Sequence, residues 1–455
     1  MDLLTIMGFI SIIVIVVLLL SGKVSMPVIF TFVPIIAALI CGFAGVLTST
    51  AKDGTVTTIS GIVPILTAIN GYITTGLNSV LSTVALFTFA VIYFQILNDV
   101  GMFDVIVNKV MKFLGNKVEV VLLMAAFVAT ISHLDGSGAT TVLVTVPMML
   151  PIFKKMKMSP LSLCLMVGLA SGAMNMTPWC SSVMRITSAT GQDAYTLWTT
   201  VLPLQILCLI LCYLVVIPVG KLERKRGAGM TDEEFEQMKA ELSKPVETKV
   251  PSSIIAVDII VTVLILIVLL LGWVKANMGF MIALAIALIV NYKTPKEQAA
   301  KIKEFGGTAL YMCMIIFCIG ILVGVLKDSG MMNAMVKAIL AIMPESIGMH
   351  LTWICGALSV PLSMFLGSDS LYMTIAPILG PVVTTFGSSA LLLDAAFLIG
   401  GCLSASLCLV GPSPYLMLGL AGAEMKDNLK YCFPWVFGIN LIAMIVAGFT
   451  GIIPF

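Results

Sequence analysis

His133-Leu134-Asp135-Gly136-Ser137-Gly138-Ala139-Thr140-Thr141 interrupts an apolar stretch that runs over 117–153. Gly367-Ser368-Asp369-Ser370 interrupts a second one, over 347–383. On both sides of each cluster the chain is apolar enough for a bilayer. Polar, non-helical backbone at membrane depth survives only when buried in protein or lining a cavity, because lipid offers N–H and C=O groups no partner. Each stretch therefore reads as a re-entrant helical hairpin with the polar cluster at its tip. The fold class that follows is an all-α polytopic membrane protein.

Composition agrees. Of 455 residues, 59% are hydrophobic and 11% charged, with a mean hydropathy of +1.11. A soluble domain carries about a quarter charged residues. Soluble enzymes, nucleic-acid binders and disordered chains are excluded. An outer-membrane barrel is excluded too, since its strands alternate apolar and polar residues. The net charge of +2 says nothing about partners. The 11 cysteines lie in apolar stretches without a C-x-x-C pair, and read as packing residues. The 30 methionines read as core filler or lipid-facing residues, not metal ligands. Asp2 precedes Leu3–Leu20, and no small-residue cleavage site follows, so this stretch reads as a first span and not a signal peptide.

Further spans are expected near 27–48, 81–97, 160–190, 195–218, 253–274, 277–291, 308–326, 391–420 and 431–453. The segment 61–80 reads as an amphipathic surface piece. The long polar stretch 219–252 is a linker, and Thr231-Asp232-Glu233-Glu234 within it looks like a capping box opening a short surface helix.

The two sides of that linker repeat. Leu97-Asn98-Asp99-Val100-Gly101-Met102 recurs as Leu326-Lys327-Asp328-Ser329-Gly330-Met331, and Pro147, Pro178 and Pro203 match Pro377, Pro412 and Pro434 at nearly the same offset. Residues 1–218 and 253–455 thus each hold five spans and one hairpin. An odd span count gives the halves opposite orientation, the inverted repeat of many secondary transporters. Charge supports this. With the linker placed in the cytoplasm, only Lys52, Lys275, Lys327 and Lys337 of the 25 lysines and arginines fall outside. Arg185 falls within a span, and all the others are cytoplasmic. Both termini are then outside, and the hairpins enter from opposite faces.

Ionisable groups inside the membrane are functional candidates by default. Asp135 and His133 sit at the first tip, Asp369 at the second. Arg185 follows Asn175-Met176-Thr177-Pro178-Trp179, which should break its span. The matching break runs from Ser404-Ala405-Ser406 to Gly411-Pro412-Ser413-Pro414. Two tips and two broken helices can meet near the midplane, where helix N-termini offer free N–H groups to an anion. Other roles are open: Gly136 and Gly138 as turn residues, Pro412 and Pro414 as kinks, Ser and Thr as helix packing, His133 as a hydrogen-bonding group within its hairpin. Asp258 and Asp394 lie near helix starts and read as interfacial. Two carboxylates and one guanidinium leave the site near −1. An anion carried with a cation suits that charge. So does a carboxyl that carries a proton. No P-loop occurs, so transport would run on gradients. An intramembrane enzyme lacks a nucleophile–base set, since His350 lies near a helix start at the surface. A channel is disfavoured because the hairpins would plug it.

Ser132 to Thr141 with Thr145-Val146-Pro147, Met174 to Trp179 with Arg185, Gly367-Ser368-Asp369, and Gly419-Leu420-Ala421-Gly422 resemble the CitMHS family of metal–citrate symporters. The likeness covers nearly the whole chain. It departs at Cys180-Ser181-Ser182 and Ser370-Leu371-Tyr372, where members often carry Gly and aromatic residues. The resemblance implies uptake of citrate as a divalent metal complex with protons. It implies a homodimer in the bacterial inner membrane, with scaffold and transport domains that move as an elevator. Asp135 and Asp369 would ligate the metal or carry the proton. Arg185 would pair with a substrate carboxylate. Ser137, Gly138, Thr140, Asn175, Thr177, Ser368, Ser370 and Ser413 would supply the remaining contacts. No permanently bound cofactor and no nucleic acid is expected; Mg²⁺ or Ca²⁺ would travel with citrate. The alternative is a Na⁺- or H⁺-coupled carrier of a free di- or tricarboxylate.

Overall fold

The computed structural model describes residues 2–21, 23–50, 56–103, 105–106, 116–231, 233–235, 249–271, 273–409 and 412–455. Gly411, Asp232, Lys109 and Lys112 lie outside the described residues, as does the linker centre, 236–248. The first half holds α1 (Leu3–Ser21), α2 (Met26–Phe43), α3 (Ile62–Asp99), α4 (Val118–Ser132), α5 (Gly138–Lys155), α6 (Pro160–Met174), α7 (Ser181–Thr190) and α8 (Ala194–Lys225). The second holds α9 (Ser252–Leu270), α10 (Ala276–Asn291), α11 (Pro295–Asp328), α12 (Met331–Ile342), α13 (Leu351–Leu366), α14 (Ala376–Thr385), α15 (Ala390–Leu403), α16 (Pro412–Ala421) and α17 (Met425–Thr450). Apart from α12, the order recurs element for element. The repeated motif is a matched pair of helix stops: α3 ends at Asp99 and α11 at Asp328, and Gly101 and Gly330 follow at φ +86° and +84°. Only a residue without Cβ takes that backbone cheaply.

Among the described residues, eight helices are long and apolar enough to cross a membrane. Large apolar side chains point outward on α1, α2, α9 and α10, Ile13, Phe32, Ile260 and Ile289 among them. That is the belt lipid requires. By contrast α6 and α15 are buried almost all round.

Two expectations need correction. Residues 61–80 are not a separate surface piece but the first half of α3, a continuous 38-residue helix. At about 1.5 Å per residue it is close to twice the hydrocarbon thickness. What makes it continuous is its partner. A Cβ on Gly76 would lie 2.0 Å from the Gly320 carbonyl oxygen, so α3 and α11 cross backbone to backbone. Similarly, α11 begins at Pro295, well before 308, because Thr294 and Glu297 form a capping box. The fold is all-helical but for one small antiparallel ribbon, in which Thr48–Thr50 pairs with Val56–Thr58. α2 stops at Phe43, and Gly45 at φ +71° turns the chain into that ribbon. Asp258 and Asp394 are enclosed by protein, at 2% and 0% exposed. Asp258 accepts from Asn291 Nδ2 at 3.0 Å and Asp394 from Thr190 Oγ1 at 2.6 Å.

The helices pack in two sets. α3 packs against α10, α11 and α2, with α1 on α2 and α12. α4, α5, α6 and α8 pack together, as do α13, α14, α15 and α17. α7 and the first polar turn touch α3 across the boundary, and α7 also touches α11. The linker is held at both ends. Buried Glu223 accepts from Ser159 N at 3.0 Å and from Ser162 Oγ at 2.5 Å. At its far end, Lys249 pairs with Asp99, which Lys301 also contacts at 3.0 Å. Its Thr231–Glu234 motif makes reciprocal capping bonds of 3.0 Å and 3.3 Å.

Candidate functional site

Each polar cluster turns the chain on a glycine. At the first, His133–Asp135 form one 3-10 turn and Gly136 follows at φ +73°. At the second, Gly367 at φ +80° ends α13, and Ser368–Ser370 start again as helix, continuing through a π turn at Leu371–Ile375. The two apolar spans break as their prolines and polar runs suggested. α6 ends at Met174 and α7 restarts at Ser181; α15 ends at Leu403 and α16 restarts at Pro412. Gln205 Nε2 donates to the Ala173 carbonyl at 3.0 Å, and Asn428 Nδ2 to the Ser406 carbonyl at 3.2 Å. Both breaks thus have carbonyls satisfied by an amide from the following span.

Each tip docks on the other half's broken helix. α7, from the first half, packs on the second tip's π turn, and α16, from the second half, packs on α5. Two contacts mark these junctions. Arg185 Nη1 forms an ion pair with Asp369 Oδ1. A Cβ on Gly138 would lie 3.8 Å from Ser413 Oγ. The first tip also docks on its own half's break: Trp179 Nε1 donates to the Leu134 carbonyl at 2.9 Å, and a Cβ on Gly136 would meet Cys180 Sγ at 3.3 Å.

The proposed residues then fall into groups. Asp135 Oδ1 accepts the Ser137 N–H at 2.8 Å. Among the described residues no cation pairs with it, and it shares no bond with Asp369. Ser137 caps α5, accepting from Thr140 N at 3.3 Å and Thr140 Oγ1 at 3.1 Å. His133 is buried, with Nδ1 2.7 Å from Thr141 Oγ1; Thr141 in turn donates to the Ser137 carbonyl at 2.9 Å. This imidazole holds its own hairpin together. Asn175 Nδ2 donates to Ser182 Oγ at 2.8 Å. Thr177 is buried, with Oγ1 3.1 Å from the Met174 carbonyl and 2.9 Å from Cys180 Sγ, so its hydroxyl serves the break itself. Ser368 and Ser413 are partly exposed. Ser370 Oγ and Arg185 Nε are buried without a partner, the guanidinium retaining an unused donor beside the second tip.

Reading the sequence did not single out Trp179 beyond its place in the motif. Its ring lies 5.8 Å from Phe94 and 5.4 Å from Phe280, an aromatic cluster formed with α3 and α10. The signal was available: an aromatic residue directly after a membrane-depth proline needs an N–H acceptor there. Among the described residues no three His, Cys, Asp or Glu side chains converge as a metal site.

Paired broken helices, polar tips docked across the halves, and a guanidinium–carboxylate pair between them define a multi-span membrane transporter. The citrate transporter family profile, CitMHS, matches residues 5–400, and the chain belongs to this family. Its relatives are transporters of the plasma membrane, not enzymes. A citrate transporter of Bacillus subtilis (strain 168) is 30% identical over 99% of this chain and 100% of its own length. A Mg(2+)/citrate complex secondary transporter of the same organism is 26% identical, over 99% of both chains. In fold, the chain is similar to the Alcanivorax borkumensis YdaH transporter, with a TM-score of 0.65, 12% identity, and coverage of 94% of this chain and 98% of that one. It is also similar to Neisseria gonorrhoeae MtrF, with a TM-score of 0.64, 16% identity, and coverage of 93% and 94%.

Proposed function

We propose that this protein takes up citrate as a divalent metal complex, coupled to protons. The halves form an inverted repeat, and the second set of helices moves as an elevator against the first, in a homodimer. The linker is cytoplasmic. The observation that carries the reading is the charge balance of the site: Arg185 paired with Asp369, and Asp135 with no cation of its own. A free tricarboxylate would meet Asp135 as like charge. A metal–citrate complex brings the missing cation, and its free carboxylate can take Arg185 from Asp369. The relative named for the Mg(2+)/citrate complex supports the same cargo. Ser137, Gly138, Thr140, Ser368 and Ser413 border the two junctions and would complete the cradle. Asn175 and Thr177 act at one remove, by holding the break.

Purified protein in liposomes tests this. Labelled citrate uptake should vanish with a chelator, return with Mg²⁺ or Ca²⁺, and rise with an acid-outside pH gradient. Uptake indifferent to chelator and driven by Na⁺ would replace the reading with a free-carboxylate carrier.

A further inference from the structure

We propose that Asp394, paired with the Thr190 hydroxyl, is the residue that carries the coupled proton. The assignment rests on the proton-coupled reading above. Asp394 is the fifth residue of α15 and is fully buried. Its Oδ2 lies 2.6 Å from Thr190 Oγ1, and its Oδ1 has no partner. A carboxylate held this way, without a cation, loses several kcal/mol of hydration that nothing returns.

Proton counting at Thr190 shows which form fits. Its Oγ1 is also 2.9 Å from the Ile186 carbonyl oxygen. One hydroxyl proton cannot satisfy a carboxylate and a carbonyl together. If Asp394 is a carboxylic acid, both bonds form: the acid donates to Thr190 Oγ1, and Thr190 donates to Ile186. The geometry suits the protonated state, and loss of the proton breaks one of these two bonds.

Two further features tie this acid to transport. Thr190 ends α7, the ten-residue helix that presents Arg185 to Asp369. The proton and the substrate contact therefore share one rigid element, stopped by Gly191 at φ +76°. A polar cavity of about 520 Å³ is lined by Thr187 and Gly191 with Ser79, Ser82 and Asp193. Its wall lies within a turn of Thr190.

The elements packed on α15 leave this acid alone. α14 has no titratable group, and α6 and α13 bring the Cys164 and Cys355 thiols. Tyr372 of the π turn faces Cys402. Arg185 is paired with Asp369. Asp193, the cap of α8, is occupied by Thr196 at 2.9 Å, and Tyr195 packs on Trp198. The remaining charges of α8 and α17, Glu223 and Asp427 among them, sit at the ends of those helices away from the α7–α8 turn.

The test separates exchange from net uptake in liposomes, with labelled citrate and Mg²⁺. Asp394→Asn mimics the protonated acid. It should keep citrate exchange at equal pH within about three-fold, and lose at least about thirty-fold of uptake driven by a pH gradient. Gradient-driven uptake at the wild-type rate would overturn the assignment. So would loss of exchange together with uptake, which would make Asp394 a binding or folding residue. A wild-type protein indifferent to the pH gradient would instead remove the coupling itself. Thr190→Val serves if the Asn variant does not fold. Deleting the hydroxyl removes the hydrogen bond to Asp394 in both protonation states, and unequally, so the pH profile of uptake should move by roughly half a unit or more. Thr190→Ser should restore it, and an unmoved profile in Thr190→Val would refute the role.

Discussion

At the first tip, Asp135 is turned back on its own chain, accepting the Ser137 N–H, while His133 and Thr141 lock the turn and Trp179 holds the Leu134 carbonyl. At the second, Asp369 reaches across to Arg185 of the other half, and behind it Tyr372 OH stands 3.6 Å from Cys402 Sγ. The first tip spends its polar groups on itself. The second is secured by an ion pair that a substrate carboxylate can replace. The difference assigns them separate tasks. A tip stitched by hydrogen bonds within its own half keeps its shape with the site full or empty. A tip held by a replaceable charge can respond to occupancy. Repeated topology has been given unequal chemistry.

The variant with the largest expected effect attacks the second tip. Arg185→Ala leaves Asp369 without its cation and the substrate without its counter-charge. Breaking a partly buried pair from one side costs on the order of 3 kcal/mol, or more than about a hundred-fold in uptake. Arg185→Lys keeps charge but not the guanidinium fork, and should recover part of the activity. Uptake at the wild-type rate in Arg185→Ala would end the claim that the second tip is gated by charge. Next comes Asp135→Asn, which keeps the turn-forming oxygen and removes the charge. Citrate uptake should fall about ten-fold or more and its metal dependence should weaken, because the incoming cation loses its partner. If uptake with Mg²⁺ is unchanged, Asp135 is only a turn residue. His133→Gln should act on stability instead. Losing the Thr141 contact inside a buried turn costs about 1–3 kcal/mol, read as a lower melting temperature in detergent, with citrate affinity little changed.

The sequence announced both tips and both breaks, because each is a local violation of membrane rules. A polar run, a proline or a matched helix stop at membrane depth is conspicuous against apolar neighbours. Contacts between halves were not written locally. Arg185 and Asp369 each stood out, but their pairing depends on which broken helix docks on which tip. That docking is set by shape, for instance by the approach of α6 to α15, where a Cβ on Gly172 would lie 2.8 Å from the Cys402 carbonyl oxygen. The length of α3 was missed for a related reason. Its first half is not uniformly apolar, and what makes it a helix is the close crossing at Gly76 and Gly320. The burial of Asp394 was not legible because position near a helix start says nothing about what packs around it.

The smallest effect is the sharpest comparison between the tips. Trp179→Phe keeps a ring within the aromatic cluster of Phe94 and Phe280 and removes the Nε1–H bond to Leu134. The Leu134 carbonyl then loses its donor, at about 1–2 kcal/mol. Tyr372→Phe removes a hydroxyl whose Cys402 Sγ contact, at 3.6 Å, is a weak hydrogen bond. Both residues are buried beside a tip; Tyr372→Phe preserves the packing, while Trp179→Phe also gives up part of the indole's contacts. If hydrogen bonds stitch the first tip, Trp179→Phe should raise the KM for citrate several-fold and open the 133–141 turn to hydrogen exchange. Tyr372→Phe should do neither while Arg185 and Asp369 remain paired. Equal effects from both variants would mean that the tips are secured alike, and the charge pair would then be a substrate contact with no part in holding the second tip.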